Sequence, residues 1–240
     1  MDLSERSAPA RGVADIRERS DSMALQVDTK DSTALTDADL DEMASMGGSF
    51  DIGLLSKATQ DWVLSTSARI DDKLHGYAFA TLERIGGTPC VLLGMLSVKR
   101  TSKRETVLKG LMGEAYHRAL MAFPDEDVVV GSRFVSAHGL DAFKALSEVI
   151  PRPGHRAVGE ERAWGRRLAK RFGVDSQYDE KTFVVKTNGQ SGYLDFESLK
   201  ADRIPADVTA QFDAVNSAKG GALIVHGWTM AEDLVKLGAR

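Results

Sequence analysis

The sequence predicts an α+β fold: a mixed, mostly antiparallel sheet flanked by helices, with a C-terminal extension. Three observations carry that prediction. Three strand-like segments follow one another across short turn sequences, Asp71-Asp72-Lys73 and Gly86-Gly87-Thr88-Pro89, as in an antiparallel meander. The third segment, residues 90–98, runs through a basic turn into an amphipathic helix and then into a further apolar strand over 127–136, as in a strand–helix–strand crossover. The second strand sets Tyr77, Phe79 and Ile85 on one face and Ala78, Ala80 and Leu82 on the other, so the sheet is covered on both sides.

In chain order, residues 1–21 mix Ser, Arg, Asp and Glu with few large apolar side chains and read as a disordered tail. Residues 23–27 are a short first strand. Thr36 and Asp39 have the spacing of a capping box, with Leu40 and Met43 inward on the helix that follows and Gly47-Gly48 ending it. A second helix is expected over 51–65, where Leu55, Ala58 and Trp62 share one face. The meander occupies 67–70, 74–85 and 90–98. The helix over 105–121 carries Leu108, Leu111, Met112, Ala115 and Ala119 as its inner stripe, and a short helix is expected over 140–148. A basic amphipathic helix over 160–172 buries Trp164, Leu168 and Phe172 and stops at Gly173. A strand over 182–186, the turn pair Asn188-Gly189 and Tyr193-Leu194 suggest a hairpin. Helical residues 208–215, a strand over 222–226 and a helix over 230–237 complete the chain. The domain reading is a tail over 1–21, a main domain over 22–189, and an α/β extension over 190–240 packed on it.

Composition limits the function. Of 240 residues, 42% are hydrophobic, enough for a sizeable core. The formal charge of −4 argues against nucleic acid as the default partner, which leaves the basic helix over 160–172 as the one candidate for such contact. The single cysteine, Cys90, excludes a disulfide framework and reads as a buried thiol in a reducing compartment. Without a leader-like start or an apolar run near 20 residues, no membrane association is expected, and the protein reads as cytoplasmic. His75, His117, His138, His155 and His226 are scattered without metal-ligand spacing, so no metal is expected.

The chemistry concentrates at the strand, basic turn and helix of residues 90–121. Lys99, Arg100, Lys103 and Arg104 stand just before a helix N-terminus, where unpaired N–H groups and a partial positive charge favour an anion. This unit and the element order resemble the GNAT superfamily of acyl-CoA-dependent N-acyltransferases, over about residues 23–148. The family signature follows a strand and reads Arg or Gln, two residues, Gly, one residue, then Gly or Ala, with backbone N–H groups on the CoA pyrophosphate. Arg104 stands at its first position, which puts Val107 and Lys109 where the glycines belong, a departure that takes away the close backbone approach glycine allows.

The resemblance implies acetyl-CoA or another acyl-CoA as cofactor, held by Leu96, Val98, Lys99, Arg100, Lys103, Arg104, Glu105, Thr106 and Val107. It implies attack by a deprotonated amine, from a small molecule or a protein, on the thioester, with backbone donors at 96–98 stabilising the oxyanion. Glu83, the one carboxylate of the two central strands, is the candidate general base, and residues 140–148 hold no tyrosine to act as general acid. Arg133 and His138 bracket the strand end that would face substrate. Two alternatives stand beside the acyltransferase: a non-catalytic ligand-binding or regulatory protein on the same fold, which the missing glycines and tyrosine favour, and a nucleic-acid-associated protein using the basic helix.

Overall fold

The computed structural model describes residues 24–186 and 192–238. The expected tail, Met23 of the first strand and the turn pair Asn188-Gly189 lie outside the described residues. The chain forms a nine-stranded sheet with helices on both faces. Its strands are β1 (Gln26–Asp31), β2 (Leu64–Ile70), β3 (Lys73–Ile85), β4 (Thr88–Val98), β5 (Val128–Phe134), β6 (Ser147–Ile150), β7 (Tyr178–Asp179), β8 (Val184–Val185) and β9 (Ala222–Thr229). The spatial order is β1-β2-β3-β4-β5-β9-β8-β7, with β6 also on β9. Every named pair is antiparallel except β4 with β5, which is parallel. The mixed, mostly antiparallel α+β architecture is therefore present.

The meander is built by its turns. Asp71 and Asp72 (φ 51° and 60°) and Gly86 and Gly87 (φ 60° and 90°) each join strands through two left-handed residues, the geometry that matches strand twist. Helix α3 (Arg104–Ala122) crosses from β4 to β5 over one face and buries Val107, Leu108, Leu111, Ala115 and Ala119 against it. The opposite face is covered by α1 (Asp37–Ser45), α2 (Ile52–Asp61) and α4 (Gly159–Arg171), and Leu55, Trp164 and Leu168, with Trp62 just after α2, meet Phe79, Leu92 and Val129. At the start of α1, Thr36 accepts from the Asp39 N–H and Asp39 accepts from the Thr36 N–H, the reciprocal cap its sequence predicts.

Several elements differ from expectation. Strand β1 runs to Asp31, because this edge strand is mostly polar and is fixed by its pairing with β2, including a Thr29–Thr66 hydroxyl contact of 2.8 Å. Helix α2 ends at Asp61, where Trp62 turns extended and the chain enters β2. The helix expected over 140–148 is instead a 3-10 helix (Ala137–Phe143) followed by β6, the chain turning at Glu148 (φ 50°). Tyr193-Leu194 does not form a hairpin with β8, whose partners are β7 and β9; it reaches β4. Within residues 192–238, β9 pairs with β5 over seven positions inside the sheet, and α6 (Ala231–Gly238) packs on α3. A short helix, α5 (Ala206–Ala210), covers less than the residues 208–215 expected.

Candidate functional site

The parallel pair β4–β5 is where the sheet opens. The two strands pair directly at only three positions, Cys90↔Val129, Val91↔Val130 and Leu92↔Gly131. One residue later the Ser132 hydroxyl donates to the Leu93 carbonyl at 2.7 Å, and the pairing ends. The cause lies in β4. Ala80 faces Leu93 while Ala78 faces Leu96, so β4 advances three residues where β3 advances two. This bulge at Gly94 and Met95 bends the strand. Gly94 is required there, since a Cβ would stand 2.4 Å from the Trp62 ring.

The gap is filled by the chain itself. Residues 192–195 run through it, alongside β4 in the parallel sense. The Leu96 N–H donates to the Tyr193 carbonyl and the Asp195 N–H donates to the Leu96 carbonyl, each at 3.0 Å. On the other side, the Tyr193 N–H donates to the Arg133 carbonyl at 3.0 Å. Further along, the Val98 N–H donates to the Ser198 hydroxyl at 3.1 Å. Leu96 and Val98, the expected oxyanion donors, thus have protein partners in this structure.

Side chains fix this strap on both faces of the sheet. Leu194 is buried in the α3-side core. The Tyr193 ring lies edge-on to Trp62 and Phe172, with the Arg133 guanidinium 4.7 Å above its centroid. Asp195 is buried and accepts hydrogen bonds from the Ser97 and Ser49 hydroxyls at 2.9 and 2.8 Å. Gly48 brings the Ser49 loop close; a Cβ there would meet Ser97 Oγ at 2.6 Å. Gly192 threads past β5, where a Cβ would stand 2.5 Å from Val135 Cγ1 and 3.1 Å from the Arg133 carbonyl oxygen.

The basic turn sits directly beyond this gap. Arg104 pairs with Asp141 at 3.3 Å, Arg100 with Glu197 at 3.6 Å, and Glu105 with Lys144 at 3.0 Å. Lys99 is tied to β3 through its N–H on the His75 carbonyl, and Lys103 precedes α3 without a side-chain cap. Glu105 and Thr106 line a groove of about 940 Å³ on the outer side of α3, away from the β4–β5 gap. At the first of the two signature positions the departure has a packing reason. Val107 is fully buried, and its Cγ1 would lie 2.7 Å from a Cβ on Gly76. The small residue at this contact is on β3 rather than on the helix. Lys109 is exposed.

The remaining candidates are dispersed. Glu83 pairs with Arg171 of α4 at 2.7 Å, while its neighbour Arg84 pairs with Glu126. Arg133 is wholly buried beneath Tyr193, so it is not an exposed strand-end cation. His138 accepts from the Ala201 N–H at 3.3 Å, and burial first, then Lys200, lowers its pKa. Cys90 is buried, and burial pushes its thiol up to about 12. On α4, Arg162 binds the Ala157 carbonyl, Arg166 binds Glu180 and Arg167 covers Trp164, so the basic face is engaged within the chain. Among the described residues no group of three or more His, Cys, Asp or Glu is placed to hold a metal ion, and no helix is long and apolar enough to cross a membrane. Sequence reasoning missed Asp195, Ser198 and Gly192. The one available signal was the Gly192-Tyr193-Leu194-Asp195 string, which does not reveal its partner strand.

No family model matches the sequence, and no curated protein does. Similar solved structures include ElaA of Escherichia coli, at 17% identity, 55% of this chain, 95% of that chain and a TM-score of 0.35. A GNAT family acetyltransferase from Brucella melitensis, in complex with acetyl-CoA, is 16% identical over 44% of this chain and 75% of its own, with a TM-score of 0.32. An aminoglycoside acetyltransferase from an uncultured soil metagenomic sample, in complex with sisomicin, gives 18%, 44%, 76% and 0.32. This chain's own sheet is an antiparallel β1–β4 run, the α3 crossover and a parallel β4–β5 pair.

Proposed function

We propose that the protein is a CoA-dependent N-acyltransferase on a GNAT-like fold, with the gap between β4 and β5 as its acyl-CoA slot. The observation that carries this reading is the bulge at Gly94 and Met95, after which β4 and β5 no longer pair directly and the Leu96 and Val98 N–H groups point to an interstrand space. CoA carries amide groups in its extended arm, and such a chain pairs with strand backbone as a peptide does. Lys99, Arg100, Lys103 and Arg104, which precede the N-terminus of α3, are the groups assigned to the phosphates in this reading. In the reaction, a deprotonated amine attacks the thioester carbonyl, the oxyanion takes the Leu96 or Val98 N–H, the C–S bond breaks to release CoA thiolate, and the amine proton passes to solvent. Glu83 is given no part, because Arg171 holds it.

A second reading keeps the fold without the chemistry, as a ligand-binding or regulatory protein. The valine and lysine at the two signature positions and the filled slot favour it. Calorimetry with CoA tests whether the slot takes the cofactor at all. Arg104→Ala should weaken CoA binding about ten- to a hundredfold, the loss of one charge-assisted contact. Lys57→Ala, an exposed change on α2, is the control. An Arg104→Ala affinity equal to the control's removes Arg104 from the site. Absence of CoA binding at millimolar concentration, in wild type and in variants with the slot opened, leaves the non-catalytic reading.

A further inference from the structure

We infer that residues 192–198 are an intramolecular strap that closes the acyl-CoA slot and must leave it for cofactor to enter, an inference that rests on the acyl-CoA reading of the slot. The strap takes the backbone groups a ligand would use: the Leu96 N–H and carbonyl, the Val98 N–H and, across the gap, the Arg133 carbonyl. Cofactor and strap therefore compete for the same donors.

The way the strap is held suits it to exchange. Its contact with β4 is an isolated bridge rather than a ladder. Its anchors at Asp195 and Ser198 are polar, beside the buried Leu194 and the Tyr193 ring on Trp62 and Phe172. Asp195 takes the Ser49 and Ser97 hydroxyls, and the Ser198 hydroxyl both accepts from Val98 and donates to the Asp195 carbonyl at 2.9 Å. An acyl-CoA offers carbonyl oxygens to the same N–H groups and phosphate to the cations beside them. Arg100 now lies near Glu197 of the strap, 3.6 Å away and largely exposed, so a phosphate would meet it as a rival to that carboxylate. Ligand entry and strap release are then linked: a strap that occupies the slot for most of the time lowers the apparent affinity by the fraction of molecules open.

Two substitutions open the strap by different means. Gly192→Ala puts a Cβ 2.5 Å from the Val135 side chain and 3.1 Å from the Arg133 carbonyl oxygen, and leaves Asp195 intact. Asp195→Asn keeps the side-chain size and removes the charge that gathers Ser49 and Ser97. The experiment combines amide hydrogen exchange with CoA calorimetry on the full chain. Faster exchange at Leu96 and Val98, unchanged exchange at Leu92, and CoA binding at least about tenfold tighter than wild type are expected in both variants. Folded variants whose Leu96 exchange matches wild type overturn the inference, as does wild type binding CoA as tightly as the opened variants; the latter leaves the acyltransferase reading standing. Faster exchange without any CoA binding refutes that reading and the gating role together. Should both variants fail to fold by circular dichroism, wild type decides: Leu96 and Val98 amides that exchange only on global unfolding overturn the strap as a movable part.

Discussion

The two ends of β4 meet β5 in different ways. At the Cys90–Leu92 end the strands touch directly, and apolar residues from both helical layers cover the contact: Val91 and Val130 on one face, Leu92 and Val129 on the other, all fully buried. At the Leu96–Val98 end a third segment separates them, held by a buried carboxylate, hydroxyls and backbone groups. The first end is held by burial, which is non-directional and tolerates no vacancy. The second is held by hydrogen bonds, which another polar chain can replace with little net change, together with the buried Leu194 and the Tyr193 ring on Trp62 and Phe172.

The most damaging way to probe the comparison is at the apolar end. Leu92→Ala should cost about 2–5 kcal/mol, as other buried leucine truncations do, read by chemical denaturation of the whole chain. A cost below about 1 kcal/mol would mean that the direct β4–β5 contact is no more cohesive than the strap.

On the far side of β5, acid should act next most strongly. Burial lowers the His226 pKa to about 4, with Glu161 opposing, so the imidazole is neutral in the folded sheet. The unfolded chain takes up a proton near the ordinary value of about 6.5, the folded chain only near 4. Stability from this group is therefore complete above pH 6.5 and lost as pH falls toward 4, by a total on the order of 3 kcal/mol. His226→Phe should flatten the curve over that window; an equally steep curve would assign the acid sensitivity elsewhere.

At the polar end the expected effect is smaller. Asp195→Asn should cost about 1.5–3 kcal/mol, the value of hydrogen bonds to a charged group, and most of it should appear as local opening near Leu96. A loss as large and as global as that of Leu92→Ala would erase the distinction between the two ends.

This contrast also governs what could be read from the sequence. Apolar alternation and turn chemistry locate β3, β4, α3 and the Thr36 cap, because their determinants are local. The Asp71-Asp72 and Gly86-Gly87 turns sit where the left-handed backbone needs them. The 3-10 helix and β6 escaped, since the 140–148 segment has a helical spacing of Phe143 and Leu146 that the pairing of β6 with β9 overrides. The strap escaped for a stronger reason. Asp195 and Ser97 are 98 residues apart and Asp195 and Ser49 are 146 apart, and nothing in either neighbourhood names the other. The basic turn was legible as a charge cluster, but its pairing with Asp141 and Glu197 depends on the fold.

Hydrogen exchange at the Tyr193 amide, followed as CoA is added to the wild-type protein, tests the account most directly. That N–H is bound to the Arg133 carbonyl only while the strap lies between the strands. The account predicts that CoA speeds exchange at Tyr193 while Leu96 stays protected, its N–H passing from the strap to the ligand, and that amides at Cys90 to Leu92 do not change. Binding of CoA that leaves Tyr193 protection untouched would contradict it, since the ligand would then occupy some place other than the gap the strap fills.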